Sequence, residues 1–205
     1  MIELEKNVFY GTFADDLLPD DSFSDEQLDE IAKCKLEKRR REKALTYKML
    51  NSIFPHRNPV VLHYEDGAPY LRGEETLNIS ISHSRTGVAI ALDDKRVGVD
   101  VEEMSEKLSR VREKFLSAAE DDLFGHSPEG LLKAWTLKEA AYKATLVPGL
   151  PLTGGIEILS SDNPTAIRVK AGESQLILLT GRTYSVGERV LVSVVRAGSA
   201  LSRNI

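Results

Sequence analysis

The sequence predicts an α+β protein of two similar halves, each a small, mostly antiparallel sheet packed on helices. Three observations point there. Helical stretches at roughly 24–53, 105–124 and 130–146 are separated by short segments of period-two character. Those segments are punctuated by turn formers, so neighbouring strands are joined tightly. Finally, "NISISHSRTGVAIAL" and "RTYSVGERVLVSVV" each read as strand, turn, apolar strand, and each falls late in its half. At 205 residues the chain is one large domain or two small ones, with enough length to bury a core.

Taken in order, "IELEKNVFYGTF" reads as a short strand followed by the acidic, turn-rich loop "ADDLLPDDSFSDEQ". Ser24 and Gln27 have the spacing of a capping box, which opens a helix running to about Ile53. That helix carries the cationic block "KLEKRRREK". A solvated helix face explains such a block, and so does a site for a multiply charged phosphate ligand. "PHRNPVVLHYEDGAPYL" alternates turn and strand. In "KRVGVDVEEM", Val97, Val99 and Val101 occupy one strand face while Gly98, Asp100 and Glu102 occupy the other. Ser105 caps the helix "EKLSRVREKFLSAAEDDLF", and Gly130 to about Leu146 forms another. Five strand-like segments follow, and "GSALSRNI" reads as a disordered tail.

Composition excludes several classes of function. Hydrophobic residues at 41% and charged residues at 29% describe a soluble globular protein. A net charge of −5 argues against general nucleic-acid binding. No apolar run approaches the roughly 18–20 residues needed to span a bilayer, and the N-terminus lacks the order of a secretory signal. Cys34 is the single cysteine, so neither an intrachain disulfide nor a cysteine metal cluster can form. Together these points lead to an expectation of a cytoplasmic protein without membrane attachment.

Asp100 and Glu102 are the sharpest local feature. Two carboxylates aimed from one strand face repel unless a cation or proton intervenes, and hard oxygen donors of this kind suit Mg²⁺. A solvent-facing strand edge, where acidic residues discourage aggregation, is an equal alternative on this stretch alone. Ser82, His83 and Ser84 precede a Gly-containing turn and could donate to phosphate oxygens. Nucleophilic serine catalysis fits poorly: there is no G-x-S-x-G elbow, and adjacent Ser and His side chains on a strand point apart. In "AWTLKEAAYKA", Trp135, Glu139 and Lys143 recur at helical spacing, with Lys138 and Tyr142 on a neighbouring stripe. An ordinary Glu139–Lys143 surface pair, worth about 0.2–0.5 kcal/mol, is the plain explanation of that window alone.

Four blocks together resemble the 4′-phosphopantetheinyl transferases of the longer, single-chain class. They are "NISISHS" (78–84), "VGVDVEEM" (97–104), "KFLSAAE" (114–120) and "LLKAWTLKEAAYKA" (131–144), with "GLPL" (149–152) and a closing "RVLVSVV" in support. The likeness covers roughly residues 35 to 197. It implies a reaction that moves the phosphopantetheine arm of coenzyme A onto a serine of an apo acyl or peptidyl carrier protein, releasing adenosine 3′,5′-bisphosphate. It implies Asp100, Glu102 and Glu139 as ligands of Mg²⁺, with Mn²⁺ as a substitute, and Glu139, Lys143 and Asp100 as the catalytic set, Glu139 being the general base. Ser82, His83, Lys138 and Lys143 would contact coenzyme A. Arg39, Arg40 and Lys43 of the basic helix are candidates for its nucleotide end. Where many relatives have Gly-Lys-Pro this chain has Gly67-Ala68-Pro69, so Ala68 lacks that lysine's phosphate contact.

The resemblance further implies a monomeric pseudo-dimer within one chain, with subdomains 1–102 and 103–205 and coenzyme A in the cleft between them. Two rivals are weighed. A non-catalytic carrier- or coenzyme A-binding paralogue is disfavoured because Asp100, Glu102, Glu139 and Lys143 are all present. A nucleic-acid binder using "KLEKRRREK" is disfavoured by the acidic total and the lack of a stacking array.

Overall fold

The computed structural model describes residues 1–14, 22–57, 60–74, 76–172 and 175–197. It is a mixed α and β structure built on small antiparallel sheets. Residues 15–21 of the acidic loop expected after the first strand, and the whole tail 198–205, lie outside the described residues.

The first sheet holds β1 (Ile2–Glu5), β2 (Val8–Thr12), β5 (Asn78–His83) and β6 (Gly87–Asp93), in the order β1-β2-β6-β5. The second holds β7 (Val97–Glu103), β8 (Ile156–Ile158), β9 (Thr165–Lys170), β10 (Leu176–Gly187) and β11 (Val190–Ala197), in the order β7-β11-β10-β9-β8. β3 (Leu62–Glu65) and β4 (Ala68–Leu71) form a separate hairpin. The sheets thus differ in strand number and order.

Strand alternation explains the layering. In β6, Val88, Ile90 and Leu92 face a core shared with Leu45 and Met49 of helix α2 (Glu37–Ile53). Ala89 and Ala91 point the other way, onto Val97, Val99 and Val101 of β7 and Val190, Val192 and Val194 of β11. On the far face of the second sheet, Ile167, Leu179 and Val195 pack under Leu137 and Ala141 of helix α5 (Pro128–Thr145). The layers therefore run α2, first sheet, second sheet, α5. β6 lies between α2 and the second sheet, which is why "GVAIALD" reads as an almost continuous apolar run. Glu5 of β1 accepts from Tyr184 of β10 and Arg196 of β11, and Arg196 also donates to Asp93 at 2.7 Å. This polar clamp joins the two sheets at one end.

Several local readings change. The single opening strand is a hairpin, β1–β2, with Asn7 in the left-handed region at φ 63°. The helix expected from Ser24 to Ile53 is two: α1 (Asp25–Ala32), with the expected Ser24–Gln27 capping box, and α2, separated by residues 33–36. The stretch after Ser105 also breaks, into α3 (Glu106–Val111), a 3₁₀ turn (Arg112–Lys114) and α4 (Ala118–Phe124). Phe115 and Leu116, both buried, occupy the break and tie it to the core. "SQLILLTG" and "RTYSVG" merge into the single twelve-residue strand β10. Among the described residues, no helix is long and apolar enough to cross a membrane.

Candidate active site

The site begins at a glycine. A Cβ on Gly98 would lie 1.9 Å from the Ala140 carbonyl oxygen and 2.6 Å from the Ala144 nitrogen, both backbone atoms of α5. Glycine in the strand and alanine at 140, 141 and 144 in the helix let α5 lie directly on β7. The next residues on the same strand face are Asp100 and Glu102. They therefore emerge beneath the last turns of α5, where Glu139 and Lys143 project. α5 is itself well specified: Ser127 accepts from the Gly130 N–H at 3.0 Å, Pro128 occupies the first turn, and Leu146 closes the helix in the left-handed conformation.

Lys143 Nζ donates to Asp100 Oδ1 at 2.8 Å and to the Val99 carbonyl at 3.0 Å. Asp100 Oδ1 also accepts from Ser82 Oγ at 2.8 Å. Asp100 is buried, 7% exposed, which removes the solvent-facing-edge alternative for that residue. Glu139 has no hydrogen bond or ion pair with a described side chain; burial, and then the charge of Asp100, push its carboxyl above the usual range, Lys143 opposing and Glu102 adding to the rise. Glu102 is raised as well, by burial first and by the charges of Asp100 and Glu103. Three carboxylates and one ammonium thus sense one another across the β7–α5 contact.

The first sheet contributes the other wall. On β5, Ile79 and Ile81 face α2 while Ser80 and Ser82 face β7. His83 follows the isoleucines and meets the basic helix. The side chain reaches solvent at the strand end, yet the protein packed around its ring lowers its pKa to about 4, the anion of Glu42 opposing and the cations of Lys143, Arg39 and Lys38 adding to the fall. The ring is accordingly neutral at physiological pH. Beside it, Phe13, Glu37, Lys38, Arg41, Ser84 and Arg85 line a cavity of about 360 Å³. Arg85 is held at its mouth by Glu103 at 2.6 Å, and the Arg41 guanidinium lies 5.3 Å from the centre of the Phe13 ring.

The structure thus brings together Asp100, Glu102, Glu139, Lys143, Ser82 and His83, and sets other candidates apart. Lys138, expected among the coenzyme A contacts, is 0% exposed; its ammonium donates to Glu120 and to the carbonyls of Leu152 and Ile156, at 2.8–2.9 Å. It cannot reach a ligand without dismantling that cluster. Arg40 donates to the Cys34 carbonyl at 2.8 Å, and Lys43 pairs with Glu30 of α1 at 3.0 Å, so both lie on the α1 side of α2. Arg39 stays near His83, anchored on the buried Glu42 at 2.7 Å. Lys38, Arg41 and Arg85 were not singled out as site residues from sequence. Glu120 was missed too, although the Ser117-x-x-Glu120 capping-box spacing marks it.

Comparison with known proteins follows this geometry. The model of the 4′-phosphopantetheinyl transferase superfamily matches residues 96–190, from just before β7 to the start of β11. A 4′-phosphopantetheinyl transferase of Bacillus subtilis is 28% identical over 139 residues, covering 65% of this chain and 61% of that protein. 4′-Phosphopantetheinyl transferase psf-1 of Bacillus pumilus is 28% identical over 149 residues, covering 68% of this chain and 61% of its own length. The match therefore spans about three fifths of each relative.

Proposed function

We propose that this chain is a 4′-phosphopantetheinyl transferase, like the proteins it is similar to, and moves the phosphopantetheine arm of coenzyme A onto a serine hydroxyl of an apo acyl or peptidyl carrier protein. In that reaction the serine oxygen attacks the phosphorus that bears the pantetheine arm. The pyrophosphate bond breaks, and adenosine 3′,5′-bisphosphate leaves. The observation that carries the reading is the convergence of Asp100, Glu102, Glu139 and Lys143 where α5 crosses β7.

Glu139 suits a general base. Its carboxylate is half-buried and without a hydrogen-bond or ion-pair partner among the described residues, and its raised pKa brings it nearer the working pH, where proton abstraction is most efficient. Lys143 is held by two acceptors and is 29% exposed at its side chain, so it can turn a remaining N–H towards a phosphate oxygen. Neutral His83 serves as a hydrogen-bond donor, and the cations of Lys38, Arg39, Arg41 and Arg85 supply the field for the nucleotide phosphates. Lys38, Arg41 and Arg85, the additions to the basic set, offset the missing lysine at Ala68.

Among the described residues no set of three His, Cys, Asp or Glu forms a ready metal cage. The donor chemistry nevertheless fits Mg²⁺ or Mn²⁺ shared with a substrate. Such an ion needs only one or two carboxylates and takes its other ligands from phosphates and water. Asp100, Glu102 and Glu139 would hold it, and when bound it neutralises charge on the pyrophosphate. Burial raises Glu102 and Glu139 first, and the neighbouring carboxylate charges add to the rise; a cation would relieve that added repulsion.

The finer architecture belongs to the same proposal. Each sheet carries its own principal helix, as expected of a pseudo-dimer with subdomains 1–102 and 103–205 acting as a cytoplasmic monomer. A boundary before Val97 suits this division better, since β7 hydrogen-bonds to β11. The decisive assay incubates the protein with Mg²⁺, coenzyme A and several apo carrier proteins and follows carrier mass. Gain of the phosphopantetheine mass is expected. No gain on any carrier, beside a working transferase, refutes the activity.

A further inference from the structure

We propose that Ser82 is a positioning residue for Asp100 rather than a substrate contact, an inference that rests on the transferase reading above. β5 and β7 are edge strands of different sheets, yet they lie side by side. Two serine hydroxyls join them across the gap. Ser80 Oγ accepts the Val99 N–H at 3.0 Å, and Ser82 Oγ donates to Asp100 Oδ1 at 2.8 Å. Both serines are buried, at 5% and 6% exposure, and both lie on the strand face opposite His83. The direction of Ser82 is thus set by the pleat: it looks at β7, while the basic helix is seen by its neighbour.

The consequence falls on one carboxylate. Oδ1 of Asp100 receives two donors, Ser82 Oγ and Lys143 Nζ, each at 2.8 Å. Oδ2 receives none from the described residues. The arrangement pins the carboxylate plane and leaves Oδ2 as the oxygen offered to a divalent cation. Hydrogen-bonded partners of this kind orient a ligating carboxylate, and losing one costs roughly 10–100-fold in metal affinity or activity. Alanine at 82 would leave a buried, charged oxygen one donor short. Ser82 thereby lets the first sheet set the geometry of a centre that the second sheet and α5 otherwise build alone.

Direct contact and positioning make different demands on kinetics. A substrate contact shows in KM for coenzyme A; a positioning role shows in kcat and in cation affinity. The test uses full-length wild type, Ser82→Ala, Ser82→Thr and Ser80→Ala. Carrier loading is measured alongside Mn²⁺ binding by electron paramagnetic resonance, with and without coenzyme A and without carrier. For Ser82→Ala we expect kcat and Mn²⁺ affinity each to fall about 10-fold or more, with KM for coenzyme A within about twofold. Ser82→Thr, which keeps the hydroxyl, restores both. Ser80→Ala, which cuts the sheet junction without touching Asp100, lowers thermal stability but leaves Mn²⁺ affinity near wild type. A rise in KM with kcat and Mn²⁺ affinity unchanged overturns the proposal, as does a wild type that binds no Mn²⁺. A wild type that loads no carrier refutes the transferase reading instead, and the Mn²⁺ comparison still decides the role of Ser82.

Discussion

Lys138 and Lys143 stand five residues apart on α5, in one motif, and face opposite fates. Lys138 is fully buried against Glu120, whose own oxygens also take the N–H groups of Ser117 and Ile158, each at 2.9 Å. Every member of that cluster is satisfied, which makes a buried ion pair tolerable and rigid. Lys143 is partly exposed, shares Asp100 with Ser82, and has Glu139, unpartnered among the described residues, one turn away. One end of the contact network is closed and the other left open. A saturated pair locks the helix in place, so that the unsaturated group beside it can present charge to a ligand at little cost in reorganisation.

The largest expected effect breaks the open end. Glu139→Gln should lower carrier loading by about 10²–10⁴-fold, the range of a lost general base, measured as kcat with saturating coenzyme A. The same variant should melt higher at pH 7. Because the folded-state pKa of Glu139 is raised, its charged form burdens the fold at pH above that pKa, and the burden lifts as pH falls through it. The gain in melting temperature should therefore shrink as pH is lowered; a Gln variant that melts lower than wild type at pH 7 contradicts the reading.

Breaking the closed end should act on stability. Lys138→Met leaves Glu120 charged and buried, and should cost about 3–5 kcal/mol in urea unfolding. Adding Glu120→Leu should recover only the part due to the stranded charge, because the N–H groups of Ser117 and Ile158 then lose their acceptor. Lys143→Ala should do the reverse: transfer is lost while the unfolding midpoint stays close to wild type. Equal destabilisation by both lysine variants would erase the distinction.

The smallest effect concerns His83. Its pKa of about 4 when folded, against 6.5 when free, means the unfolded chain binds the extra proton between those values. Stability should rise with pH across that window and be lost as pH falls through it. His83→Gln should flatten this part of the stability–pH curve, and a slope that survives the substitution assigns it to other groups.

Much of the site was legible because its signals are local. The alternation in "VGVDVEE" puts Asp100 and Glu102 on one face, and helical spacing puts Glu139 and Lys143 within a turn. Even the glycine of that strand has a sequence signature, being matched by alanines on the helix that covers it. The basic helix was less readable. Cations occur all round its first turns, so no amphipathic stripe indicates which of Lys38, Arg39, Arg40, Arg41 and Lys43 turns towards His83 and which towards α1. The bond from Ser82 to Asp100 was hidden for a related reason: a hydroxyl at a strand end suits phosphate as well as carboxylate, and its acceptor is eighteen residues away.

The residues alone therefore put Asp100 with Glu102 and Glu139 with Lys143: periodicity of two and of 3.6 is a property of consecutive residues and needs no partner to be read. The fold decided what each charge is for. Whether a lysine is a strut or a donor depends on the dielectric and the acceptors around it, and at Lys138 these come from Glu120, Leu152 and Ile156, brought from both sides in the chain. Only packing two sheets and two helices into successive layers could close one ammonium off from water and leave the other at the edge.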